Sequence, residues 1–436
     1  MEPFDKNTYK LFDPILQDIS RELTIKKCSV ADHLQAFREV FDEFRKKLMD
    51  AEPFLTLYKG TKYSGSYSNN IKIKAPDEFD MMLCMKLPSE LKVQILNSTY
   101  PAYVQLKTGG LEALKNKQNW DKYKCIEKWL DSKNFIMQNK FREWMEGLIQ
   151  KVLNQLQNVL TCGTNQYNLK YTKANPAFTM HVQGITNPSI KFDFDVDLVP
   201  NFYFEHPTWP PILKNKIAKK YPTHFKEWFV IAKRVAGEED NRHWRVVLLE
   251  QEKKILHDTN GLKSTTRFLK QLRDKHQMPG IKSYYIKTVF LWEADQQPPE
   301  FWDKRLSYLF MHMLRKLRDC VEKKEIPYFW YCRLNLMENH RQVIRLEMNI
   351  QILLIKFPQW TTLQTFTLAN LIFCAGSGYS NVYCSVDQCR ADAILYSKHS
   401  RTRLVPKIRS RGLLTTRQND IQISFEGKSL QLILFS

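Results

Sequence analysis

Strict alternation of apolar and polar positions marks the most informative stretch of the chain. In residues 190–200, Phe192, Phe194, Val196 and Leu198 alternate with Asp193, Asp195 and Asp197. Successive side chains of a strand point to opposite faces, so this stretch predicts a strand with one apolar face and one face of three aspartates. Phe79, Met81 and Leu83 alternate in the same way and put Glu78 and Asp80 together on the opposite face of a second strand. A strand pair falls at 168–184, where Phe178, Met180 and Val182 alternate.

Elsewhere the period is helical. Leu11, Ile15, Ile19 and Leu23 recur at helix spacing. Ser29 would cap a long helix over 30–49 whose apolar stripe is Leu34, Phe37, Val40, Phe41, Phe44 and Leu48. Residues 120–160 read as helix, and the prolines at 207, 210, 211 and 222 mark 201–222 as a connector. Helices are predicted at 246–257, 264–276, 283–294 and 301–323. Residues 358–436 lack sustained periodicity and read as a poorly ordered basic tail. The resulting class is α+β, with two lobes and a tail. A lobe over 1–240 holds a mixed or antiparallel sheet with a long N-terminal spine helix. A helical lobe spans 241–357, and the tail follows.

Charge narrows the function. The 436 residues carry 66 Lys+Arg against 46 Asp+Glu, a net charge of +20. Because the aspartate-lined strand is acidic, the positive excess lies elsewhere, which favours a polyanionic partner, nucleic acid ahead of a membrane surface. Nine cysteines are scattered without framework spacing, the amino terminus is polar, and no apolar run is long enough to span a bilayer. These features predict reduced thiols, a cytoplasmic location and no membrane partner.

Gly65-Ser66 followed by Glu78-Phe79-Asp80 is the candidate for chemistry. Two carboxylates on one strand face repel each other unless a cation lies between them, and hard oxygen ligands suit Mg²⁺. A Gly-Ser pair lets backbone N–H groups approach a triphosphate unobstructed. A Gly-Ser turn before an acid-x-acid strand resembles the nucleotidyltransferase superfamily. Val196-Asp197-Leu198-Val199 best fits its third-acid strand, so Asp197 completes the set, with Asp195 as the alternative.

A more specific resemblance follows. Gly65-Ser66-Tyr67 through Ala75-Pro76-Asp77-Glu78-Phe79-Asp80 is similar to the activation loop and metal strand of animal cyclic GMP-AMP synthase. Trp244-Arg245, Glu252-Lys253-Lys254-Ile255-Leu256, Leu269-Lys270-Gln271-Leu272 and Ser283-Tyr284-Tyr285-Ile286-Lys287-Thr288 follow the same family in order. The match covers about residues 8 to 350. It resembles the cyclic GMP-AMP synthase-like receptors and the male-abnormal-21 nucleotidyltransferases.

The resemblance implies roles for named residues. Glu78, Asp80 and Asp197 would hold two Mg²⁺ ions, with Mn²⁺ as a substitute. Gly65 and Ser66 would contact the triphosphate. Arg245 would face a base or phosphate, Lys270 would reach a phosphate and Tyr284 would stack on a base, with Glu252 in the same pocket. The family's zinc-binding insertion corresponds to His257 through Ser264, which contain no cysteine, so zinc is not expected. Relatives without zinc are associated with double-stranded RNA. The implied activity is a cyclic dinucleotide synthase using ATP and GTP in antiviral innate immunity, activated by double-stranded RNA rather than DNA. Its product would be read by a STING-type receptor. Lys26, Lys27, Arg38, Lys46, Arg242, Lys253 and Lys254 are the candidate RNA surface. The rival readings are an inactive nucleic-acid-binding or scaffold protein of the same fold and a linear, oligoadenylate-type synthase.

Overall fold

Strand β8 (Asp193–Glu205) is the axis of the structure, a computed structural model. It describes residues 12–21 without 15 and 19, 27–65, 77–186, 193–211, 227–256 without 236, 260–275, 278, 280–337, and 415–417, 420–425 and 428–433. Among these, β8 is paired by three other strands. Strand β2 (Glu78–Met85) runs parallel to it along 195–202, β7 (Phe178–Gly184) antiparallel along 193–198, and β9 (Glu227–Ile231) antiparallel along 201–205. Among the described residues the sheet has ten strands. On one side β7 continues into β6 (Asn165–Lys173) and β5 (Val159–Cys162). On the other, β9 continues into β10 (His243–Val247), β4 (Tyr103–Lys107) and β3 (Gln94–Asn97), while β1 (Tyr58–Tyr63) pairs with β2.

The apolar face of the sheet is held by helix α1 (Lys27–Met49) and helix α2 (Gln138–Gln155). Phe37 of α1 stacks on Phe79 with ring centroids 4.0 Å apart, and Phe79 meets Phe194 edge-on at 5.7 Å. These three rings fasten β2 to β8 from below, so the alternation read in both strands becomes a shared core with the acids on its far side. Helix α1 begins at Lys27, so Ser29 lies inside it rather than capping it. Residues 120–160 do not form one helix. They contain α2, a short helix at Lys124–Trp129 and the start of β5.

A second hydrophobic core is helical. Helices α3 (Leu249–Ile255), α4 (Asn260–Lys275), α5 (Ser283–Gln296) and α6 (Leu306–Glu322) follow β10. Leu262, Phe268, Phe290, Phe310 and Leu314 form the centre of this core. Phe12 and Leu16 join it from the beginning of the chain, and the Asp13 carboxylate accepts the Ser307 N–H at 2.9 Å near the start of α6. Residues 243–247 are a strand rather than the start of the helical region: Trp244 and Val246 face the sheet core. The hairpin β11 (Pro327–Tyr328) and β12 (Tyr331–Asn335) links both cores, with Tyr328 and Trp330 in the sheet core and Ile326 and Met337 in the helical one.

Met1–Ala375 and Gly376–Ser436 form separate units. In the second, β13 (Thr415–Arg417), β14 (Asp420–Phe425) and β15 (Lys428–Ile433) make an antiparallel sheet in the order β13–β14–β15. Residues 338–414, which take in most of the stretch 358–436 read as a tail, lie outside the described residues. Among the described residues no helix is long and apolar enough to cross a membrane.

Candidate active site

Parallel pairing of β2 with β8 sets Glu78 opposite Asp195 and Asp80 opposite Asp197. A carboxylate oxygen from each of Glu78, Asp80 and Asp197 lies within 4.8 Å of the others. Three acids from two strands thus meet at one point on the sheet. The donor set is all carboxylate oxygen and open to solvent at Glu78, so the residues fit a hard divalent cation such as Mg²⁺ or Mn²⁺.

Asp195, the alternative third acid, is engaged elsewhere. Its Oδ1 is 2.5 Å from His181 Nδ1 on β7, and His181 Nε2 is 3.0 Å from Thr172 Oγ1. Asp197 instead accepts a hydrogen bond from the Thr179 hydroxyl at 2.5 Å. Asp193 stands opposite Gln183.

The turn after β1 presses onto the site. The Ser64 N–H donates to the Asp80 carbonyl at 2.8 Å, and Gly65 follows with φ +69°. A Cβ on Gly65 would stand 1.7 Å from Asp80 Oδ2, so no side chain fits there, and the left-handed backbone would be strained in any case. Ser66 lies outside the described residues.

Arg245, Glu252 and Tyr284, three of the residues that the resemblance assigns to the nucleotide, belong to a polar cluster where the sheet meets the helices. Arg245, on β10, is stacked between Tyr328 (4.4 Å) and Tyr103 (5.3 Å). Glu252 on α3 is 7% exposed and accepts three bonds: from Tyr284 Oη at 2.8 Å, Trp330 Nε1 at 3.0 Å and Lys287 Nζ at 2.6 Å. Burial pushes the Tyr284 phenol well above its ordinary pKa, and the Glu252 charge adds to the shift. Tyr284 therefore keeps its proton and donates a hydrogen bond to Glu252. Lys270 is buried on α4.

Sequence reasoning missed Lys287, Trp330, Tyr328 and Thr179. Lys287 sits three residues after Tyr284, on the same helix face, and that spacing could have found it. The aromatic run Tyr328-Phe329-Trp330-Tyr331 after Pro327 marked the hairpin, but nothing local tied it to Glu252 or Arg245.

The candidate RNA surface is divided. Arg38, Lys46 and Lys254 are exposed, with Lys46 paired to Glu43. Arg242 is tied to Asp131 at 2.5 Å and stacks on Phe135, and Lys253 pairs with Glu250 at 3.3 Å. Lys27 is the first residue of α1, and Lys26 lies outside the described residues.

A sheet that carries three converging carboxylates behind a glycine turn defines a nucleotidyltransferase. Residues 67–258 match the Mab-21 protein nucleotidyltransferase domain, and 261–352 match the Mab-21 protein HhH/H2TH-like domain. The chain is 32% identical over 343 residues to a cyclic GMP-AMP synthase-like receptor of Tribolium castaneum, covering 76% of this chain and 84% of the relative. It is 31% identical over 360 residues to one of Trichogramma pretiosum (76% and 70%), and 28% identical over 340 residues to one of Aethina tumida (76% and 83%). The chain belongs to the Mab-21 nucleotidyltransferase family, among the cyclic GMP-AMP synthase-like receptors.

Proposed function

We propose that this transferase joins ATP and GTP into a cyclic dinucleotide of the cyclic GMP-AMP type when double-stranded RNA binds. The meeting of Glu78, Asp80 and Asp197 within 4.8 Å carries the reading. Glu78, Asp80 and Asp197 would hold divalent ions, whose chemistry there would be to lower the pKa of the attacking ribose hydroxyl and to neutralise charge on the departing pyrophosphate. The protein's own groups do the rest. Asp80 and Asp197 are fixed side by side by strand pairing, and the Gly65 turn brings backbone N–H groups to the triphosphate. Ser66 is assigned to the triphosphate and Lys270 to a phosphate. Arg245 and Tyr284, with Glu252, line the base pocket, where they align the ribose hydroxyl of one nucleotide with the α-phosphate of the other. A second transfer in the same pocket closes the ring.

Exposed Arg38, Lys46 and Lys254 offer phosphate contacts of the kind A-form RNA accepts. RNA would act as an allosteric ligand that completes the nucleotide site. The setting would be cytoplasmic innate immunity, with the product read by a STING-type receptor.

The test is incubation of purified protein with ATP, GTP and Mg²⁺ plus double-stranded RNA or DNA, with products resolved by mass spectrometry and linkage-specific nucleases. A cyclic product with RNA supports the reading. A linear chain assigns an oligoadenylate-type synthase, and no product with either nucleic acid overturns the enzyme reading in favour of a scaffold.

A further inference from the structure

Strand β7 meets each aspartate of β8 with a different partner. Gln183 stands opposite Asp193, His181 opposite Asp195 and Thr179 opposite Asp197. Only the third of these pairs reaches the carboxylate cluster. The Thr179 Oγ1–Asp197 Oδ1 distance is 2.5 Å, at the short end for a hydroxyl donating to a carboxylate.

The chemistry of the pair is directional. An ionised carboxylate only accepts, so the hydroxyl proton must point at Asp197. The terminal torsion of an aspartate is broad, whereas a β-branched threonine on a strand is stiff at χ1. A rigid donor therefore holds a loosely hinged acceptor. The carboxylate that Thr179 holds through Oδ1 is the same one that gives an oxygen to the cluster shared with Glu78 and Asp80.

We propose that Thr179 is a positioning residue of the metal site, fixing the orientation of the Asp197 carboxylate beside Asp80. This inference rests on the three-carboxylate reading of the site. Partners that fix a metal-binding carboxylate commonly change metal affinity by roughly 10–100-fold when removed.

Thr179→Val preserves shape and removes only the donor, while Thr179→Ser keeps the donor on a smaller side chain. Mn²⁺ binding to the full chain, read from the electron paramagnetic resonance signal of free Mn²⁺, should weaken about tenfold in Thr179→Val and at most about threefold in Thr179→Ser. The Mg²⁺ concentration for half-maximal nucleotide incorporation should rise in step, with most of the rate recovered at saturating Mg²⁺. Parent-like Mn²⁺ affinity in Thr179→Val overturns the proposal. So does a Thr179→Ser variant as weak as Thr179→Val, because the contact would then be packing. If the parent binds Mn²⁺ no better than Asp197→Asn, the metal reading of the site falls with it. If the parent binds and Thr179→Val binds equally, only the role of Thr179 falls.

Discussion

The sheet and the helical region treat their carboxylates in opposite ways. At the sheet, Glu78, Asp80 and Asp197 are gathered against one another within 4.8 Å. Among the helices, each buried carboxylate is met by cations and donors. Glu252 receives Lys287, Tyr284 and Trp330. Glu293, 2% exposed, lies 2.7 Å from His312 Nε2 and accepts from Lys316 at 3.0 Å and Gln297 at 2.8 Å. Crowding like charges is unfavourable, and a buried carboxylate met by a cation and further hydrogen bonds has its desolvation cost offset. The sheet keeps an electrostatic demand that a divalent cation would answer, while the helices settle theirs internally. The difference separates the candidate site from the scaffold that holds it.

Three substitutions test that contrast. Asp80→Asn should reduce nucleotide incorporation by about a thousandfold or more, equivalent to about 4 kcal/mol of barrier. The metal-free melting temperature should hold or rise, because one of the crowded charges is gone. A marked fall in melting temperature would make the triad a structural ion cluster instead. Lys287→Met leaves Glu252 buried against Tyr284 and Trp330 without its ammonium. It should cost about 3–5 kcal/mol in urea unfolding. Adding Glu252→Gln to that variant should return part of the loss, and a double variant as unstable as the single would break the pairing argument.

Glu293 gives the smallest effect and a pH signature. Burial pushes its carboxyl up, but the bonds from His312, Lys316 and Gln297 outweigh that and hold it at about 2, below the ordinary 4.5. A carboxyl with a lowered folded pKa stabilises the protein fully above the unfolded value and loses that contribution as pH falls towards the folded one. Stability should therefore drop between pH 4.5 and about 2, by about 3 kcal/mol from this group. Glu293→Gln should flatten that part of the curve, and an unchanged acid limb would remove Glu293 from the account.

Legibility in the sequence followed the range of the interactions. Alternation marked β2 and β8 because a strand's period is local, and it put Glu78 and Asp80 on one face without reference to the rest of the chain. The same alternation could not choose between Asp195 and Asp197. That choice is made by His181 and Thr179, on a strand whose register no local pattern specifies. The expected helix at 246–257 takes in Val246 and Val247, the last residues of β10, because Val246 to Leu249 is a short apolar run without a clear period. Asp13 beside Ser307, separated by 294 positions, left no local trace at all.

Strand β8 has a paired neighbour along its whole length, and neighbours on both edges at 195–198 and 201–202. Its amides can reach solvent deuterium only when the sheet itself opens, whereas helix ends and surface turns exchange through small local fluctuations. Asp197 is thus carried by one of the slowest-opening parts of the molecule, and its backbone would still be in place while the periphery breathes.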